Sequence, residues 1–318
     1  MFYGVSSSSV IPCHHICLSV RRNIVNHPAA YLPDPYLKTL ADSDCPLDIS
    51  LTNDFAFKKT FRNKKALTGL LSCLLDIPAG QITDIGFPDT FLHGDYVEDH
   101  EGILDIRLVL NHRKHINIEI QMHTYPFWEE RSLFYLAKMY TEDFCKGEDY
   151  SSLKECIHIS ILGFDLKQEG RLFSVIRLMD DRNCRVYSSK LSLRVLYLKQ
   201  IENATEEEKQ TDVYKWARLI SVRGWEELKR MAGSDEYMNA AVEEMERINA
   251  DKELRYWYLM REKAASDETT IRNYYIQKGE QRVNRLIQIL LENCRSDDIG
   301  RMIHDKGLQE KLFDEFGL

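Results

Sequence analysis

Ile103-Leu104-Asp105-Ile106-Arg107-Leu108-Val109-Leu110 and His115-Ile116-Asn117-Ile118-Glu119-Ile120-Gln121-Met122, joined by Asn111-His112-Arg113-Lys114, form the stretch that decides the fold. In the first run Leu104, Ile106, Leu108 and Leu110 are apolar at every even position, and Asp105 and Arg107 stand between them. In the second, Ile116, Ile118 and Ile120 alternate with Asn117, Glu119 and Gln121. Successive side chains of an extended chain point to opposite sides, so this alternation predicts two strands, each with one buried face. The polar segment between them is short enough for a hairpin. Directly opposed residues of an antiparallel pair share a face, so joining the two apolar faces requires even positions to pair with even. The same parity gathers Asp105, Glu119 and Gln121 on the other face. A three-residue loop centred on His112 would pair Asp105 with Glu119. A slip of one residue would scatter the core face and the acidic cluster together.

Working outward, Thr52 or Asn53 is placed to cap a helix running through Phe55, Phe57 and Phe61 to Leu75, ended by Asp76-Ile77-Pro78. After the hairpin a helix is expected from about Phe127 to Phe144, with Arg131, Tyr135 and Lys138 along one stripe. Strands at Cys156 to Phe164 and at Leu191 to Leu198 follow. The order argues for an α/β sandwich, a mixed sheet flanked by helices. From residue 201 charge rises and proline disappears. Asp212 to Val222, Asp235 to Ala264 and Arg282 to Asn293 read as helices, and Ser296 is placed to cap a last one. The expected division is thus an N-terminal extension over 1–47, an α/β domain over 48–200 and a helical C-terminal region over 201–318. Pro12, Pro28, Pro33, Pro35 and Pro46 mark the extension as irregular or disordered.

The chain has 318 residues, 44% of them hydrophobic and 29% charged, the balance of a soluble globular protein. No window approaches a membrane-spanning apolar run. Arg21 and Arg22 follow the weak apolar stretch near the start instead of preceding it, so no secretory leader is expected. Eight scattered cysteines without secretory context fit reduced thiols in a cytoplasmic protein. Cys13-His14-His15 with Cys17 is too crowded to predict a zinc site. His93, His100 and His123 fit no ligand spacing. A net charge of -8 excludes a uniformly basic nucleic-acid binder, so phosphate contact would need local patches. Two stretches qualify: Lys58-Lys59 with Arg62, Lys64 and Lys65, and His112 to His115. Either also reads as a solvated face.

Two carboxylates on one face of a sheet suit a hard cation. Mg²⁺ takes one or two carboxylates with waters and substrate phosphate, and phosphodiester hydrolysis needs the charge stabilisation and activated water it supplies. Asp105 and Glu119 are the expected ligands, with the Ile120 carbonyl as a third oxygen. Uncharged Gln121 would orient water or phosphate.

The aspartate followed by Glu119-Ile120-Gln121 resembles the PD-(D/E)XK nuclease superfamily, whose motif ends in lysine where this chain has Gln121. The glutamine form, with Asn53-Asp54-Phe55-Ala56-Phe57-Lys58, Asn117 to Met122, and Arg131 with Phe134-Tyr135, resembles the Rpn-type recombination-promoting nuclease and transposase family. The resemblance covers roughly Leu51 to Leu198, and Leu196-Tyr197-Leu198-Lys199 departs from the family's Glu-Leu-Pro-Lys-like segment. It implies a restriction-endonuclease-like core and a Mg²⁺-dependent DNA endonuclease, with Mn²⁺ able to substitute, tied to recombination or mobile elements. Asp54 would be a further metal ligand or simply favourable helix N-terminal charge. Arg131 would clamp a phosphate or the site carboxylates, or else pair with Glu129 or Glu130. Tyr135 would reach the site with its hydroxyl, and Lys138 would stand in for the motif lysine. The alternative is a catalytically inactive nuclease scaffold for DNA binding or assembly. The helical region would supply a homo-oligomer contact, or a helix-turn-helix reader after Arg282, which its many acids oppose.

Overall fold

The computed structural model describes residues 34–88, 91–92, 102–103, 105–166 and 170–318. The Cys13 to Cys17 cluster, His93, His100 and Leu104 lie outside the described residues. Among these residues the strands are β1 (Ile85–Gly86), β2 (Phe91–Leu92), β3 (Gly102–Ile103), β4 (Ile106–Leu110), β5 (Lys114–Gln121), β6 (Glu155–Leu162), β7 (Phe173–Met179) and β8 (Val186–Tyr197), with helices before β1, between β5 and β6 and after β8. Six of them form one mixed sheet in the order β1-β4-β5-β6-β8-β7; β2 and β3 pair separately. β5, β6 and β8 run parallel, while β4 and β7 are antiparallel to their neighbours.

The β4–β5 register is the one the alternation requires: Ile106 faces Ile118, Leu108 faces Ile116 and Leu110 faces Lys114. Asn111, His112 and Arg113 make the loop. Asn111 and His112 adopt left-handed backbone angles, φ 49° and 57°, a conformation asparagine tolerates better than most side chains. The Asn111 Oδ1 accepts from Thr83 N, Thr83 Oγ1 and Asp84 N at 3.0–3.1 Å, tying the turn to the segment that leads into β1.

One face of the sheet, carrying Ile106, Leu108, Ile116, Ile118, Ile120, Ile157, Ile159 and Ile161, is fully covered. Its cover is α2 (Asp54–Thr60) and α3 (Lys64–Leu75), together with the helices that follow the short α5 (Glu206–Lys209), namely α6 (Asp212–Ser221), α7 (Trp225–Ala232) and α8 (Glu236–Ala250). The helices after residue 200 take part in this core: Trp216, Leu219, Ile220, Met238 and Met245 complete it together with Leu67, Leu71 and Leu74. The other face carries α4 (Trp128–Thr141), which seats Trp128, Leu136 and Met139 against Cys156, Leu162, Val195 and Tyr197.

Several expectations need correction. Pro35 does not break a helix but begins one, α1 (Pro35–Asp42), because Asp34 caps it and a proline at the first turn gives up only a donor that would have no partner there. The helix expected from Asn53 to Leu75 is two, since Asn63 leaves the helical region and caps α3 through Lys65 N and Ala66 N. Asp251 likewise splits the segment after Asp235. The helix it caps, α9 (Lys252–Glu292), runs 41 residues and absorbs the one expected from Arg282. Ser296 opens α10 (Ser296–Met302) without capping it. With α11 (Lys306–Phe316) and the end of α9 it closes a second small core of Leu286, Leu290, Met302, Leu312 and Phe313.

The turn at Asn111 is testable. Asn111→Ala removes the acceptor of three hydrogen bonds and keeps the left-handed backbone, so it is expected to destabilise by about 1–2 kcal/mol in urea unfolding. Asn111→Gly, which relieves the backbone, is expected to lose less.

Candidate active site

Asp105 precedes β4 by one residue and continues its register opposite Glu119. The Ile120 N–H donates to Asp105 Oδ2 at 3.3 Å. In an extended strand the N–H and C=O of one residue leave by the same edge, so the Ile120 carbonyl lies on the Asp105 side. Asp105 is partly open, with its side chain 23% exposed, whereas that of Glu119 is 2% exposed. The Glu119 Oε1 is buried with no hydrogen-bond partner.

The cover over Glu119 is α4. Instead of pairing at the surface with Glu129 or Glu130, Arg131 turns inward, and its Nη2 lies 3.6 Å from Glu119 Oε2. Its guanidinium carbon sits 4.9 Å from the Tyr125 ring centroid and 5.3 Å from those of Trp128 and Tyr135. Three rings with negative faces thus fix one cation. Burial alone would depress the Arg131 guanidinium, yet the Glu119 carboxylate holds it above its ordinary value. Burial raises the Tyr135 hydroxyl, against the pull of Arg131.

On the opposite side Lys58 of α2 reaches the site, its Nζ 2.9 Å from Asp105 Oδ1 and 3.6 Å from Asp54 Oδ2. Burial would lower the Lys58 ammonium, but Asp105 and then Asp54 keep it above its usual value. Asp54, expected as a metal ligand, is engaged by Lys58 and by Arg261 of α9 at 3.9 Å. Lys138, expected to replace the motif lysine, has its ammonium 5.9 Å from the Phe134 ring on α4. The lysine on Asp105 comes from α2. Lys58 was legible as part of a basic run, and its spacing four residues after Asp54 puts both on one helix face. What the sequence lacked was any sign that this face meets the open end of β4.

Gln121 donates from Nε2 to its own loop, at His123 O, 3.0 Å away. His123 Nε2 in turn stands 3.3 Å from Thr269 Oγ1 of α9. His158 is a residue that sequence reasoning passed over. It is opposite Asn117 on β6, fully buried, and its Nδ1 lies 3.1 Å from Asn117 Nδ2. Burial pushes it down to about 3, with Arg131 adding to the effect, so the ring is neutral. The alternation of His158 and Ser160 with Ile157, Ile159 and Ile161 was the available signal.

Among the described residues no three His, Cys, Asp or Glu side chains are grouped to hold a metal ion. A cation here would rest on the Asp105 and Glu119 oxygens and the Ile120 carbonyl. That set is hard oxygen only, and the partnerless buried Glu119 Oε1 fits it.

A mixed sheet flanked by helices, with an acidic pair at the carboxyl end of a central strand, defines the PD-(D/E)XK nuclease type of α/β fold. The chain belongs to the family described as PD-(D/E)XK nuclease family transposase, whose model matches residues 51–274. The match runs past Leu198 through α6, α7 and α8, the helices that finish the core. No curated protein and no solved structure matches the chain. Among the described residues no helix is long and apolar enough to cross a membrane.

Burial pushes the Glu119 carboxyl up to about 8; Arg131 opposes this and Asp105 adds to it. Above the ordinary carboxylate range the unfolded chain has released this proton while the folded chain still binds it. Metal-free stability is therefore expected to fall as pH rises from about 4.5 toward about 8. Thermal unfolding across that window checks it, and Glu119→Gln, which has no proton to lose, should flatten the slope.

Proposed function

We propose that this chain is a divalent-metal-dependent endonuclease that hydrolyses phosphodiester bonds of DNA, with Mg²⁺ as its cation and Mn²⁺ able to substitute. The observation that carries the reading is the Glu119 carboxylate, buried with one oxygen unsatisfied beside Asp105. Such an oxygen is costly to leave alone, and a hard cation relieves that cost. A bound Mg²⁺ polarises a phosphoryl oxygen and lowers the pKa of bound water.

The chain's own residues do the rest. Asp105, Glu119 and the Ile120 carbonyl hold the cation. Lys58 holds Asp105 by an ion pair and presents to the phosphate the positive charge that Gln121 cannot supply. Arg131 is fixed by its three rings and holds Glu119 in place, and Tyr135 packs behind it. With its nitrogen committed to His123, Gln121 offers its amide oxygen to orient a water. Water oxygen bonds to phosphorus as the bond to the 3′ oxygen breaks, and that oxygen takes a proton. The products are a 3′-hydroxyl and a 5′-phosphate. The family description supports a setting in recombination or mobile elements.

A second reading, a non-catalytic DNA-binding or assembly module, is favoured by the same lysine. Lys58 already neutralises Asp105, which weakens the draw on a cation. Plasmid cleavage with Mg²⁺, Mn²⁺ and EDTA separates the two. Metal-dependent nicking is expected, and Asp105→Ala and Glu119→Ala should abolish it while circular dichroism stays unchanged. Lys58→Ala is expected to cost about 10²–10³ in rate, as removal of an electrostatic stabiliser does, and Lys138→Ala little. No cleavage above the Glu119→Ala background in either metal would favour the binding module.

A further inference from the structure

At the carboxyl edge of the sheet a cavity of about 320 Å³ opens, walled by the residues that immediately follow three parallel strands. Met122 follows β5, Gly163 follows β6, and Leu198 and Lys199 follow β8; Thr52, Ser221 and Arg223 close the other side. Ligands of open α/β sheets bind outside the carboxyl ends of the strands. The close approach of two of these ends is built in. A Cβ on Gly163 would lie 2.5 Å from the Met122 carbonyl oxygen, so only glycine lets β6 end there.

The polar groups around the cavity are mostly donors. Arg223 is exposed and has no hydrogen bond or ion pair among the described residues. Lys199 is 64% exposed, with Asp165 Oδ2 3.4 Å from its Nζ. The Ser221 Oγ is buried and has no partner. Several other lysines are matched by acids, as in Lys65 with Glu236, Lys114 with Glu155 and Lys229 with Glu246. In a chain of net charge -8, attraction for a polyanion has to be local, and this cavity offers two donors without a partner among the described residues, Arg223 and the Ser221 Oγ. Along the chain it follows directly on the acidic strand, since Met122 comes after Gln121 at the end of β5, and Thr52 lies two residues before Asp54.

We infer that this cavity receives a backbone phosphate of the DNA strand adjoining the cut, held by Arg223, Lys199 and the Ser221 hydroxyl. The inference rests on the nuclease reading and supplies its substrate-positioning subsite. The full chain is tested with Ca²⁺ in place of Mg²⁺ by titrating a fluorescein-labelled duplex at several salt concentrations. The double variant Lys199→Ala with Arg223→Ala is expected to reduce the magnitude of the log–log salt slope by about 0.9, the contribution of the one phosphate no longer neutralised. The weakening should be equal across unrelated sequences. Ser221→Ala should weaken binding without changing the slope, Arg223→Lys should restore most of the slope, and Lys229→Ala should match the unsubstituted chain. A double variant that titrates like the unsubstituted chain overturns the subsite. The same preparations are assayed for plasmid cleavage. Cleavage with an unmoved slope removes the subsite and leaves the nuclease standing. A moved slope without cleavage keeps the phosphate subsite and removes the nuclease. A single-stranded RNA that binds as the duplex does, with the same weakening in the double variant, overturns the assignment to DNA.

Discussion

The antiparallel pairing of β4 with β5 sets the terms for the rest of the molecule. A turn of three residues, held in left-handed conformation at Asn111 and His112, puts even positions opposite even ones. Ile106, Leu108, Ile116 and Ile118 can then all be buried on one side. Asp105 and Glu119 are carried to the other by the same constraint. Parallel β6 repeats the parity, so His158 and Ser160 line up beside Asn117 and Glu119. The acidic site is the second face of the hydrophobic core.

Covering that polar face creates the site's electrostatics. α4 lays Trp128, Leu136 and Met139 over it and seals Glu119 and His158 from water. In this low-polarity layer His158 loses its charge and Glu119 resists ionisation. Arg131, caged by aromatic rings, is the compensating cation. Asp105 stands at the open end of β4, where Lys58 can reach it. The two carboxyl groups are thereby set apart by depth alone. The deeper one is held near neutrality and the shallower one is ion-paired.

Much of this was legible because period-2 alternation is a strong signal. Strands β4 and β5, their register, and the grouping of Asp105, Glu119 and Gln121 follow from side-chain spacing, and α4 and β6 from periodicity. What escaped was decided by packing between distant segments. Phe173 to Met179 does not alternate, and it joins the sheet only because β8 offers it an edge. No local pattern links Lys58 to Asp105, 47 residues away. The helices at 212–250 were legible as helices, but the surface they cover was not. Their buried stripes of Trp216, Leu219, Met238 and Met245 find their partners on α3.

The long helix α9 ties two cores together. Near its start it donates Arg255 to the carbonyls of Leu40 and Cys45, and its Tyr258 hydroxyl lies on Ser50. Near its end Leu286 and Leu290 are buried in the small C-terminal core. Between them, residues 273–281 are exposed on every side. A free helix of that length is marginal in water, below the roughly 12–15 residues at which isolated helices begin to persist. This span is helical because its neighbours on both sides have already met the cost of nucleation. Melting either core would fray it, so the two cores share a thermodynamic linkage through a segment that touches neither.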